Sequence, residues 1–125
     1  DTMIELNKQT INKAKSLVDV EKTLKKISGK KHNIYSSIYL SVNNKKAWSC
    51  SEKTVVYIKK LTKKEIKLYI KKTGRKIKNS VGCYLAEETG PLIFDKIKGD
   101  FYNVLGLPVL RLLNFIRKKH PGLLK

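Results

Sequence analysis

From Ser16 onward the apolar positions fall at helical spacing. Leu17, Val20, Leu24 and Ile27 share one face, Ser16 and Asp19 occupy capping-box positions, and Gly29 lies beyond the end. The pattern predicts a helix over 17–27. The period then switches to two: Ile34, Ile38, Leu40 and Val42 stand at even spacing with Ser36 between them, as on a half-buried strand. Asn43-Asn44-Lys45-Lys46 reads as a hairpin turn, and the stretch from Ala47 to Ile58 supplies the second strand. A second helix opens at Thr62-Lys63-Lys64-Glu65, a capping box. Leu61 and Ile66 are placed as a hydrophobic staple, the stripe is Ile66, Tyr69 and Ile70, and Gly74 marks the stop.

Further readings complete the chain. Thr2 to Leu6 is a short apolar stretch fit for the end of a strand. Val81 to Leu85 reads as a strand, Glu87 to Pro91 as a loop, and Leu92 to Ile97 as another strand followed by a turn at Lys98-Gly99-Asp100. Pro108 opens a last helix at its first position, where a missing N–H costs nothing, with Leu110, Leu113 and Ile116 facing inward. The tail from Lys118 to Lys125 is expected to be loose. Helices alternating with strands predict an α/β or α+β fold in a single domain over 1–125.

Charge complicates this picture. The formal net charge is +18 on 125 residues, which invites a nucleic-acid reading because clustered cations release counterions from polyphosphate. Against it, only Arg75, Arg111 and Arg117 among the 28 basic residues carry the bidentate guanidinium fork, and the lysines are dispersed. The charge is expected to be mostly a solvated surface whose positive field draws in an anionic ligand. No run of about 18 apolar residues and no charged-then-apolar leader occurs, so a soluble, cytoplasmic protein without a membrane span is expected. Cys50 and Cys83 stand apart from one another and from histidine, which favours two reduced core thiols over a zinc site or a disulfide framework.

Three short motifs in order carry a resemblance. They are Ser80-Val81-Gly82-Cys83-Tyr84-Leu85-Ala86-Glu87, then Leu92 through Phe101 with Phe94-Asp95-Lys96 and Lys98-Gly99-Asp100, then Val104-Leu105-Gly106-Leu107-Pro108. Together with Asp1-Thr2, Lys13 and Ser28-Gly29-Lys30-Lys31-His32, they resemble the Maf family of nucleoside triphosphate pyrophosphatases over essentially the whole chain. Ala14 follows the lysine where many members have proline. The resemblance implies a mixed sheet flanked by helices, with two lobes around a nucleotide cleft. It further implies that about a third of a domain, bearing a Ser-x-x-Arg phosphate-binding motif and an acidic residue, precedes the Asp-Thr in family members, so the chain is expected to be N-terminally truncated.

The activity so implied is hydrolysis of a nucleoside triphosphate to its monophosphate and pyrophosphate, with a divalent magnesium or manganese ion bridging phosphate oxygens. Asp1 matches the catalytic and metal-orienting carboxylate, Lys13 the cation that holds the triphosphate, and Thr2 and Glu87 the specificity positions. Glu87 matches the branch resembling 7-methyl-GTP pyrophosphatase, where the thymidine- and uridine-triphosphate branch has glutamine. A carboxylate accepts from both donors of a guanine edge and complements the charge that methylation adds. Gly82 and Gly106 are read as backbone-geometry residues, the first expected to allow close approach near the nucleotide and the second to shape the approach to the last helix. His32 is expected to be structural, and Trp48 to lie in the core or on a strand face. Two rivals stand beside this reading: a non-catalytic Maf-like fragment and a basic nucleic-acid-binding module. A homodimer is left open.

Overall fold

A computed structural model of the chain describes residues 2–124. Five strands form one sheet in the order β2-β1-β3-β4-β5, where β1 is Thr2–Leu6, β2 Gln9–Ile11, β3 Lys31–Val42, β4 Lys45–Ile58 and β5 Phe94–Lys98. Four helices accompany it: α1 Leu17–Ile27, α2 Lys63–Thr73, α3 Phe101–Val104 and α4 Val109–Lys119. The α+β expectation holds. Where the resemblance implies a mixed sheet, every pairing among the described residues is antiparallel. The reason is local, since β1–β2 and β3–β4 are joined by two-residue turns, which connect only antiparallel neighbours. β2 and β3 run in the same direction but are separated by β1, with α1 as the crossover between them.

Both tight turns use left-handed backbone. Asn43 and Asn44 have φ of 53° and 62°, the pair of positive angles that matches hairpin twist, and asparagine tolerates them. The same device at Asn7-Lys8 (φ 51° and 66°) makes the β1–β2 hairpin, which the apolar pattern did not predict because β2 is three residues long.

The registers Ile4↔Ile34 and Ile34↔Thr54 put alternate residues of neighbouring strands on one face. That face buries Ile4, Leu6, Ile11, His32, Ile34, Ser36, Thr54, Val56 and Ile58. α1 and α2 cover it with Val20, Leu24, Ile27, Ile66 and Tyr69, all buried. Both helices begin as the sequence predicts. Ser16 Oγ accepts from the Asp19 N–H, and Thr62 and Glu65 close the reciprocal box. Ser28 Oγ accepts from the Leu61 N–H at 2.7 Å and so ties the end of α1 to the start of α2.

Four readings are corrected. Val81 to Leu85 is a chain of turns, not a strand: Cys83 sits at φ 59° and its N–H returns to the Ser80 carbonyl. Gly82, Cys83 and Tyr84 are buried in succession, which mimics in sequence the continuous apolar run of a central strand. Leu92 closes a 3₁₀ turn over Gly90–Leu92, so the last strand begins only at Phe94. In α4 no residue is fully buried and Leu110 is 51% exposed. That helix is held at its rim instead, by Phe115 stacked on Trp48 at 5.0 Å and by Arg111, which donates to the Ser51 carbonyl and pairs with Glu52. The tail expected to be loose continues α4 to Lys119 and then turns as a 3₁₀ helix over Pro121–Leu124. Cys50 and Cys83 are buried free thiols, as expected. No helix among the described residues is long and apolar enough to cross a membrane.

Candidate nucleotide-binding site

β1 leaves Thr2 and Ile4 at the end of the covered face, the segment after β2 brings Lys13 beside them, and the turns after α2 carry Asn79 through Glu87 across the top. The C-terminal end of α3 closes the fourth side with Val104, Leu105 and Gly106. The open cavity these elements line is about 330 Å³. Its lining includes three of the four predicted site residues, Thr2, Lys13 and Glu87, which the sequence separates widely. Asp1, predicted as catalytic and metal-orienting, lies outside the described residues. Asn79 and Ser80 also line the cavity; sequence reasoning passed over them because two polar residues before an apolar run look like an ordinary loop.

The loop bearing Glu87 is pinned at both ends. Gly90 donates to the Leu85 carbonyl at 2.7 Å, and a Cβ on Gly90 would lie 2.7 Å from that same oxygen, so only glycine closes the loop this tightly. Thr89 Oγ1 bonds to Thr73 Oγ1 at 2.7 Å and donates to the Tyr69 hydroxyl, fastening the loop to the last turn of α2. Glu87 is exposed and lines the cavity, and its side chain makes no hydrogen bond or ion pair among the described residues.

Tyr84 forms part of the floor. Its ring meets Phe94 edge-on at 5.0 Å and its hydroxyl pairs with His32 Nε2 at 2.7 Å. Gly82 serves this ring: a Cβ there would come within 2.5 Å of Tyr84 Cε2 and 3.0 Å of Ile4 Cδ1. The glycine expected to admit a nucleotide therefore admits a tyrosine. Gly106, at φ 117°, does line the cavity. His32 is structural, as expected, at 1% exposure, with Nδ1 lacking a partner among the described residues. Burial lowers its pKa to about 4, so it is neutral in the fold.

That neutrality has a consequence for pH. The unfolded chain takes up a proton on His32 near pH 6.5 while the folded chain does not, so stability present at pH 7 is lost as pH falls from 6.5 toward 4. The loss is on the order of 3 kcal/mol at pH 4. Urea midpoints measured from pH 7.5 to 4.5 are expected to fall more steeply for the natural chain than for His32→Gln; parallel slopes would refute this.

α3 is held by a polar knot. Asn103, fully buried, shares its two Nδ2 protons among the carbonyls of Ile34 and Glu52 and Thr54 Oγ1, whose own proton goes to the Asp100 carbonyl. Asp100 caps α3 through the Tyr102 N–H and also accepts from the Leu110 N–H, joining α3 to α4.

The fold and cavity define an α+β protein with a cleft, lined by apolar residues together with a lysine and a carboxylate, at the end of the covered face of its sheet. The family model described as Maf-like protein matches residues 1–119, and the chain belongs to that family. It is 34% identical over 124 residues to the 7-methyl-GTP pyrophosphatase of Bartonella quintana (strain Toulouse), covering 99% of this chain and 62% of the relative. It is 32% identical over 117 residues to the nucleoside triphosphate pyrophosphatase of Caulobacter vibrioides, covering 94% and 59%. A third similarity, 34% over 116 residues, is to the dTTP/UTP pyrophosphatase of Thermosipho melanesiensis, covering 93% and 62%. The chain thus spans less than two thirds of the length of these relatives.

Proposed function

We propose that the protein is a nucleoside triphosphate pyrophosphatase that releases pyrophosphate from a modified guanine nucleotide, 7-methyl-GTP, in the cytoplasmic nucleotide pool. The observation that carries this reading is the convergence of Thr2, Lys13 and Glu87 on one cavity. Its volume of about 330 Å³ lies in the range of small-molecule sites. The Lys13 ammonium supplies a point charge for the phosphates, and the Glu87 carboxylate accepts from the adjacent N1–H and N2–H donors of guanine.

Among the described residues no cluster of three histidines, cysteines or carboxylates exists, and Glu87 is the one described carboxylate lining the cavity. So sparse a set suits magnesium or manganese, which are bound through one or two carboxylates together with substrate phosphates and water. The protein carboxylate assigned to the ion is Asp1, by its motif. When bound, such an ion neutralises charge on the phosphates. The other residues act without it: Lys13 orients the triphosphate, Glu87 fixes the base, and the Tyr84 floor keeps that end of the cavity apolar.

Pyrophosphate release from 7-methyl-GTP, GTP, UTP and dTTP, with magnesium or manganese, tests the proposal on this chain and on any longer product of its reading frame. Glu87→Gln is expected to move the kcat/KM ratio of 7-methyl-GTP to dTTP by roughly tenfold toward dTTP. Absence of turnover from every form and substrate would sink it. Salt-sensitive binding of DNA or RNA in place of turnover would instead favour the basic binding module.

A further inference from the structure

Thr2 is joined to the core by a hydroxyl chain whose direction is fixed at its far end. Ser36, fully buried on β3, donates to the Asn103 carbonyl at 3.1 Å, and a carbonyl oxygen can only accept. Serine has a single hydroxyl proton, so none remains for Thr2, whose Oγ1 lies 3.1 Å from Ser36 Oγ. Reversing the chain would set the Ser36 and Asn103 oxygens lone pair against lone pair in a buried site. The Thr2 proton is therefore committed inward, and what Thr2 offers the cavity is lone pairs. Space to reach them exists, because a Cβ built on Gly106 would still stand 3.6 Å from Thr2 Oγ1.

We propose that Ser36, anchored on Asn103, holds Thr2 as an obligate hydrogen-bond acceptor, so that the cavity selects a nucleotide presenting an N–H or O–H donor to that position. The inference rests on the nucleotide-binding reading of the same cavity and deepens it. With Glu87 the cavity then offers two acceptors and no compensating side-chain donor at those two positions, a pattern that suits the paired N1–H and N2–H edge of guanine. A pyrimidine oxygen at either position would meet only lone pairs. Two groups of a guanosine nucleotide can supply the donor to Thr2, the 2-amino group of the base and the 2′-hydroxyl of the ribose.

Calorimetric binding of the monophosphates GMP, IMP and dGMP separates them, since IMP lacks the 2-amino group and dGMP the 2′-hydroxyl. Thr2→Val is expected to weaken GMP about fivefold, the worth of about 1 kcal/mol of hydrogen bonding, and to leave unaffected whichever analogue lacks the matching donor. Thr2→Ser retains the acceptor and should bind like the natural chain. Ser36→Ala releases the Thr2 proton and should reduce the discrimination between GMP and that analogue; Thr2→Val, on the cavity wall, tests the idea even if Ser36→Ala folds poorly. An equal loss on all three ligands, or none on any, overturns the inference. If the natural chain binds no nucleotide and releases no pyrophosphate, the proposed function falls too, whereas turnover with a flat response to Thr2→Val sinks only the acceptor assignment.

Discussion

Asn103→Ala is expected to lower the free energy of unfolding by about 2 kcal/mol, from two buried amide N–H donors, shared among three acceptors, at roughly 1 kcal/mol each. The residue has no exposed surface, and its amide bridges β3 at Ile34, β4 at Glu52, and the Thr54 hydroxyl. α3 has four residues, too few to persist without tertiary support. Losing Asn103 should therefore also release Val104, Leu105 and Gly106 from the cavity wall. Two readings check this: a lower urea midpoint at unchanged slope, and weaker nucleotide binding at temperatures where the variant is still folded. Asn103→Asp is the sharper variant. It keeps the shape but turns an oxygen toward three acceptors, so it should be at least as damaging; full stability in either variant would mean that α3 is held by something other than this knot.

The contrast between Asn103 and the helices explains how far the sequence could be read. α1 and α2 announce themselves through caps and an apolar stripe, because a helix of 11 residues passes the same face three times. The Asn43-Asn44 turn was legible because few residues accept two successive left-handed conformations. α3 repeats nothing, and its anchor is a polar residue whose partners lie from 49 to 69 positions away. In α4 the period is correct and the burial is not, because its neighbours reach only one rim of the helix. The turns at 81–85 failed for the opposite reason: Gly82, Cys83 and Tyr84 are buried in succession, so the composition copies that of a strand.

The site divides in the same way. Lys13 is one cation among many and Glu87 one of two adjacent carboxylates, so spacing and composition alone could not have chosen either, and family motifs did. Ser36 was visible as a strand position, but its tie to Asn103 across 67 residues belongs to tertiary structure. So does the role of Gly82, which depends on the Tyr84 ring above it.

Lys13→Met is expected to lower kcat/KM for the triphosphate by roughly 30- to 150-fold, because it removes a charge-assisted contact worth about 2–3 kcal/mol while keeping the length and packing of the stem. Lys13 is exposed and lines the cavity, so the loss should appear without a change in the unfolding midpoint. Its effect divides between KM and kcat according to when the contact forms. If the ammonium holds the ground-state triphosphate, KM rises; if it meets charge that develops on the departing pyrophosphate, kcat falls. Lys13→Arg keeps the charge but spreads it over a planar fork, and should recover only part of the loss. Asp1→Asn is the companion measurement. A carboxylate acting as the base contributes roughly a hundredfold or more to kcat, so its amide should leave KM near the natural value while kcat collapses. Equal and small effects from Lys13→Met and Asp1→Asn would deny both residues their assigned parts and leave the fold without its chemistry.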